Sequence, residues 1–281
     1  MSNTNQESEV VFKNVGKMAT FKKTQTVILK DCSFTVEAGK LNVLIGPSGC
    51  GKTTVINLIA GYERPDLGRV LINGRPISGP SWERLVVFQE TALFPWLTCY
   101  DNVMFGPLAR GVMSKESAHQ ETVKLLTKVG LEDFRDKYPS QLSGGMQRRA
   151  ELARALINQP EVMLMDEPFR GLDAMTRKLM QEYYLKLFEE TGATHVFVTS
   201  ELEEAIILAD NLLVMTNKPS KIKKVIEVAL PRPRDWSMAS SKRYLDIKAE
   251  ALELLHEEAV KASVASGKLD VDLASGYKKP E

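Results

Sequence analysis

The sequence predicts an α/β chain: a parallel sheet, an antiparallel β subdomain at its start, a helical insertion and a helical tail. Three observations predict it. The first segments, "EVVFKNVGKMATF" and "TVILKDCSFTVEAGKLNVLIG", alternate in polarity until the run at residues 41–45, apolar at four of its five positions. That change reads as half-exposed antiparallel strands followed by a central strand buried on both faces. Two further apolar runs, "VMLM" before Asp166 and "HVFVT" before Ser200, flank the helix pattern "AMTRKLMQEYYLKLFEETG". Strand, helix, strand at this spacing implies a right-handed crossover in a parallel sheet. Between these halves, from about residue 91 to 160, the pattern is mostly helical.

In chain order, "GRVLINGRPIS" returns to alternation around Asn73-Gly74, a hairpin signal, and belongs with the first strands. Within the insertion, "SKESAHQETVKLLTKVG" offers Ser114 or Ser117 as a cap, Val123, Leu126 and Val129 on one face, and Gly130 as a stop. "LPRPRDW" breaks the pattern after residue 230. Residues 231–281 then read as a tail, with one amphipathic helix over "SKRYLDIKAEALELLHEEAVKA" and a loose Gly-, Ser- and Lys-containing end.

Composition narrows the classes of function. With 281 residues and 43% hydrophobic content the chain can bury a real core. Lys and Arg total 37 against 36 Asp and Glu, so no global field points to nucleic acid or an anionic membrane. Cys32, Cys50 and Cys99 lie far apart without metal-site spacing, which fits a reducing cytoplasm. The polar start "MSNTNQESEVVF" has no apolar core of a leader, and no run approaches the roughly 18 to 20 apolar residues of a membrane span.

The chemistry is carried by three motifs. "GPSGCGKTT", comprising Gly46, Pro47, Ser48, Gly49, Cys50, Gly51, Lys52, Thr53 and Thr54, follows the buried strand and opens a helix. Its glycines let successive N–H groups curl around a phosphate, Lys52 bonds the terminal phosphates and Thr53 offers a Mg2+ ligand. Cys50 reads as a small filler. "VMLMDEP" delivers Asp166 to the carboxyl end of a strand, where it can hold a Mg2+ water, with Glu167 near enough to polarise an attacking water. Alone, the pair reads equally as helix-capping acids; beside a phosphate loop the catalytic reading wins. In "LSGGMQRRAELARAL", Ser143, Gly144 and Gly145 precede a helix and form a second cradle for phosphate. One nucleotide does not need two cradles, but a head-to-tail dimer does.

From about residue 10 to 230 the sequence resembles the ATP-binding subunit of an ABC transporter, a P-loop NTPase. Residues 46–54 match Walker A, residues 142–147 the signature with Gln147 at its end, and residues 162–167 Walker B. Gln89 in "VVFQE" matches the Q-loop and Asp173 in "GLDA" the D-loop. The resemblance implies a cassette over residues 1–230 that binds ATP and Mg2+. Gln89 would sense the nucleotide and join Thr53 and Asp166 at the metal, Glu167 would act as base, and Asp173 would face the nucleotide interface. It also implies a second ATP-binding subunit, identical or not, two membrane-spanning permease subunits and an external solute-binding protein. The cassette would be peripheral at the cytoplasmic face of the inner membrane, with no nucleic-acid partner. "ALFPWLTCYDNV" and "LPRPRD" resemble the importers of nitrate, sulfonate and taurine more than other members.

Three departures accompany the resemblance. The adenine-stacking aromatic is missing from its place, leaving Phe21 as candidate, which reads equally as an edge-strand core residue. Arg170 and Gly171 stand where small residues are usual, so Arg170 either pairs with an acid or points to solvent. Ser200 replaces the histidine that would contact the terminal phosphate, and Glu201 replaces an aspartate. Two readings compete with the transporter: a soluble ABC ATPase acting on DNA or ribosomes, and a degenerate subunit that binds ATP while a partner hydrolyses. The absence of a coiled-coil insertion and the single phosphate loop argue against the first; Ser200 sustains the second.

Overall fold

The computed structural model describes residues 8–21 and 24–265. Strands β1 (Val10–Phe21) and β2 (Thr24–Val36) form a long antiparallel ribbon, and β4 (Leu67–Ile72) and β5 (Arg75–Pro76) join it in the order β2-β1-β4-β5. The turn between the last two is Asn73-Gly74, both at positive φ as a tight hairpin turn requires. Between these pairs the chain enters β3 (Leu41–Ile45) and helix α1 (Lys52–Ala60).

A six-stranded sheet is completed by β6 (Arg84–Val87), β7 (Val162–Asp166), β8 (Thr194–Val198), β9 (Asn211–Met215) and β10 (Ile222–Glu227). Its order is β10-β9-β3-β8-β7-β6, parallel throughout except for the antiparallel edge strand β10. The crossover from β7 to β8 runs through α5 (Ala174–Thr191), as the sequence pattern requires. β6 and β10 are too short, or too polar on one face, to stand out in the sequence, whereas β9, as long and as apolar as β3, lacks a motif at its end to mark it.

Each central strand divides its side chains between two cores. Leu41, Val43 and Ile45, with Met163, Met165 and Phe197, pack beneath α5, α6 (Leu202–Leu208) and α7 (Lys242–Ala265). Leu44, Leu164, Val196 and Val198 pack with α1 and the antiparallel sheet on the other face. Period-two alternation of this kind fixes register, since a one-residue slip would exchange the two cores. The tail is part of this packing: Tyr244, Ile247 and Ala251 of α7 are buried in the first core. Burial of Ile247 alone contributes about 1.5–3 kcal/mol.

The insertion comprises α2 (Cys99–Arg110), α3 (Lys115–Lys128) and α4 (Gly144–Leu156) around a core of its own. Ser114, not Ser117, caps α3, its hydroxyl accepting the Ser117 N–H. The buried face of α3 runs through Thr122, Leu125 and Leu126 to Val129, with Val123 only partly covered. Gly130 leaves the helix at φ 63. The expectation of a loose chain end falls on residues 266–281, outside the described residues.

Candidate active site

The parallel strands aim their carboxyl ends at one side of the sheet, and a cleft of about 300 Å3 opens there. It is lined by Ile28, Ser48, Gly49, Gly51, Lys52, Thr53, Thr54, Gln89, Asp166, Glu167, Arg170 and Lys218. A larger depression, about 460 Å3, lies at the opposite end of the sheet, lined by Glu37, Lys40, Asp210 and Arg232 among others. Its charges are largely spent on one another: Asp210 pairs with Arg232 at 2.7 Å and with Arg234 at 2.9 Å. The smaller cleft gathers the candidate site residues of the sequence, Lys52, Thr53, Gln89, Asp166 and Glu167.

The loop from Gly46 to Gly51 is shaped by backbone demands. At Gly46 a Cβ would lie 2.9 Å from both Cys50 Sγ and Met215 Cβ. Gly51 sits at φ 108, and a Cβ there would meet Ile28 Cγ2 at 2.7 Å. Any side chain at either position would distort the curl that aims the N–H groups at a phosphate. Cys50 is fully buried and burial raises its thiol pKa, so it packs and does not react. Lys52 is buried at its stem, and its ammonium donates to the carbonyls of Gly46 (2.9 Å) and Pro47 (3.3 Å). That places the charge within the loop that would receive the terminal phosphates.

β7 ends at Asp166, whose pKa is raised by burial, a trend opposed by a hydrogen bond from Thr53 and reinforced by the charge of Glu167. Thr53, Asp166 and Gln89 share the cleft as hard oxygen donors, the chemistry Mg2+ takes when phosphates supply further ligands. Glu167 has φ 45, a left-handed conformation that costs a non-glycine residue about 1 kcal/mol or more. Its N–H is tied to Val198 O at 2.9 Å on β8, so neighbouring strands hold the strained residue in place. Arg170 resolves the alternatives left by the sequence: its guanidinium pairs with Glu167 Oε2 at 2.8 Å.

The ABC transporter family matches residues 29–170. The taurine import ATP-binding protein TauB of Roseobacter denitrificans is 47% identical over 203 residues, 72% of this chain and 75% of that protein. The nitrate import ATP-binding protein NrtD of Synechococcus elongatus is 39% identical over 248 residues, 87% of this chain and 90% of that protein. The dimeric cassette MJ0796, solved in a post-hydrolysis state bound to ADP and Pi, superposes with a TM-score of 0.67 at 29% identity, covering 79% of this chain and 100% of that one. The chain belongs to the ABC transporter family.

It is an ATPase of that family, with the ATP-binding cassette fold. Within the cassette Ser143, Gly144, Gly145 and Gln147 are not among the residues lining the cleft. Ser143 caps α4 by accepting the Met146 N–H, while Gly144 and Gly145 approach Leu172 and Thr176 near the start of α5. Gln147 has its amide engaged by its own chain, donating to Pro139 O and Leu142 O and accepting from Thr91. Asp173 caps α5, accepting the N–H groups of Met175 and Thr176, and hydrogen bonding centred on Thr176 lowers its pKa.

Two residues of the cassette that sequence reasoning passed over tie the Q-loop to the signature helix. Arg148 donates to the carbonyls of Phe88 (2.7 Å) and Gln89 (2.6 Å) and pairs with Glu151 at 2.6 Å, both side chains being buried. Glu151 also accepts the Ala92 N–H at 3.1 Å. Their spacing on α4 was the available signal, since buried charges three residues apart must find partners. Ser200 lies exposed just beyond β8, whose Val198 is in register with Asp166. His195 is buried on the opposite face of β8, paired with Tyr184 at 2.6 Å. Phe21 ends β1, and its side chain lies outside what is described.

Proposed function

We propose that this cassette pairs head to tail with a second one, identical or related, beneath two permease subunits at the cytoplasmic face of the membrane. ATP binding and hydrolysis there would drive uptake of a small solute of the nitrate, sulfonate and taurine group, delivered by an external solute-binding protein. The observation that carries the pairing is the separation within one chain: the cleft holds the Walker residues, and the Ser143 cradle lies elsewhere. A nucleotide on Lys52 of one chain would be closed by Ser143, Gly144 and Gly145 of the other. Contacts made only in the closed dimer let ATP shift the equilibrium towards it. The names of TauB and NrtD, both importers of small solutes, support the solute class.

An exposed aromatic patch supports docking against the permease. Trp96 is 70% exposed and stacks on Phe94, which meets Phe105 edge-on at 4.9 Å. Large exposed aromatics of this kind mark interaction surfaces. They lie in the segment that begins at Gln89, so movement of the Q-loop would reach the patch directly. No described helix is long and apolar enough to cross a membrane, so attachment would come through such a surface.

In the reaction, Lys52 would leave the Gly46 and Pro47 carbonyls for the terminal phosphates, and the loop N–H groups would hold the β-phosphate. Thr53, Asp166 and Gln89 would hold Mg2+, which neutralises phosphate charge when bound. Glu167 would take a proton from the attacking water once Arg170 yields the carboxylate oxygen it holds. Gel filtration of Glu167→Gln with saturating Mg-ATP tests the pairing, with co-purification from detergent-solubilised membranes as the test of a non-identical partner. We expect a dimer or a co-purifying cassette; a monomer with bound ATP and no cassette partner would overturn the reading.

A further inference from the structure

The sequence gives no task to the loop between β9 and β10 or to the far end of α7, yet both are wired to the phosphate loop. Because β9 runs parallel to β3, its carboxyl end emerges beside Gly46, and the next residues pass along the cleft. Ser220 is fully buried there. Its hydroxyl donates to the carbonyl of Cys50, its N–H donates to Ile28 O at 2.7 Å, and its carbonyl accepts the Lys30 N–H at 3.2 Å. Two residues earlier, Lys218 is exposed and lines the cleft with Lys52.

The other side of this loop is held by the tail. Glu258 of α7 is 3% exposed, and its carboxylate accepts the Asn217 N–H at 3.0 Å, Lys223 Nζ at 2.9 Å and Lys261 Nζ at 2.8 Å. A buried carboxylate removed from the reacting groups is costly unless its donors are fixed, and here one donor is the backbone immediately before Lys218. Burial works against its charge, but Lys261, Lys223 and the Asn217 N–H together hold its pKa down at about 2. The carboxylate therefore stays charged across the neutral range. The loop is pinned on one side by the phosphate loop and on the other by α7.

We propose that Lys218 is a further phosphate-binding residue of the cassette and that Glu258, on the C-terminal helix, is the residue that positions it. The inference rests on the ATPase reading of the cleft. Lys218 supplies a second ammonium to the phosphates of a bound nucleoside triphosphate. Glu258 fixes the backbone from which Lys218 reaches them, so the tail contributes to nucleotide affinity without touching nucleotide. Neither residue handles the attacking water, so their effect is read first in binding.

The test is calorimetric titration of the full-length chain with Mg-ATP, with steady-state hydrolysis measured alongside. Lys218→Ala should weaken binding by about 3- to 10-fold, the range between an exposed ion pair and a charge-assisted hydrogen bond, with kcat/KM falling by at least as much. Lys218→Arg should restore most of the affinity. Glu258→Ala should weaken binding similarly, and the double variant should be no weaker than the worse single one, because both act through one contact. Glu258→Gln, which keeps an acceptor for Asn217, guards against loss of folding and should lie between wild type and Glu258→Ala. Unchanged affinity in Lys218→Ala, or additive losses in the double variant, would overturn the proposal. Lys52→Ala serves as the reference: if it also binds as wild type does, the ATPase reading of the cleft has failed instead.

Discussion

The two sides of the cleft are built to different standards. On the phosphate-loop side the base of the loop is braced: Gly46 and Gly51 sit where a side chain would clash, Lys52 is buried, and Ser220 ties the loop to its neighbour. On the side facing the attacking water, Glu167 is strained and paired with Arg170, and Ser200 stands exposed beyond β8. The comparison teaches that binding and hydrolysis rest on separate sets of residues here. A cassette so arranged should bind ATP firmly and hydrolyse it slowly until a partner subunit completes the second side.

The largest effect that can sharpen this contrast is at the base. Glu167→Gln should lower hydrolysis by about 10²- to 10⁴-fold while leaving Mg-ATP affinity within a few-fold, since it removes a proton acceptor and spares the cradle. Single-turnover hydrolysis beside a binding titration checks it. Next comes Lys52→Ala, which should weaken Mg-ATP binding by about 100-fold through loss of charge-assisted bonds to the terminal phosphates. Retained affinity would break the comparison at its firm side.

A smaller effect tests whether His195 could stand in for the missing histidine. It faces Tyr184 and Phe188 inside the core, and burial lowers its pKa from 6.5 to about 3. The unfolded chain takes up this proton near pH 6.5 and the folded chain only near 3. Its contribution to stability is therefore complete above pH 6.5 and is lost as the pH falls towards 3, by at most about 1.4 kcal/mol per pH unit. His195→Phe should flatten that part of the stability profile in denaturant titrations and leave the ATPase rate unchanged. A large drop in hydrolysis without loss of folding would place His195 in the reaction after all.

Much of this was legible in the sequence, for reasons particular residues make plain. The run at residues 41–45 is apolar at four of five positions because both faces of β3 are buried, and "GPSGCGKTT" leaves little conformational choice after it. What depends on pairing between distant strands was not legible. Lys218 reaches the cleft only because β9 lies beside β3, a pairing that nothing in "NLLVM" itself specifies. Arg170 three residues after Glu167 allowed either a pair or a free side chain, and the turn between them decides it. Arg148 and Glu151 were visible as charges on a helix, but the grip of Arg148 on the Phe88 and Gln89 carbonyls and of Glu151 on the Ala92 N–H depends on how α4 meets β6.

The central claim, that this cassette holds ATP well and hydrolyses it slowly because the water-facing side offers only the short, uncharged hydroxyl of Ser200, is tested most directly by Ser200→His. The measurement is the hydrolysis rate at saturating Mg-ATP, with the dissociation constant determined on the same preparation. Loss of a positioned donor to transition-state charge typically costs about 3 to 4 kcal/mol, of which a serine hydroxyl with a bridging water recovers part. The variant should therefore hydrolyse ATP several-fold faster than wild type without binding it comparably tighter. An unchanged or lower rate would contradict the account, showing that this side of the cleft is complete with serine in place.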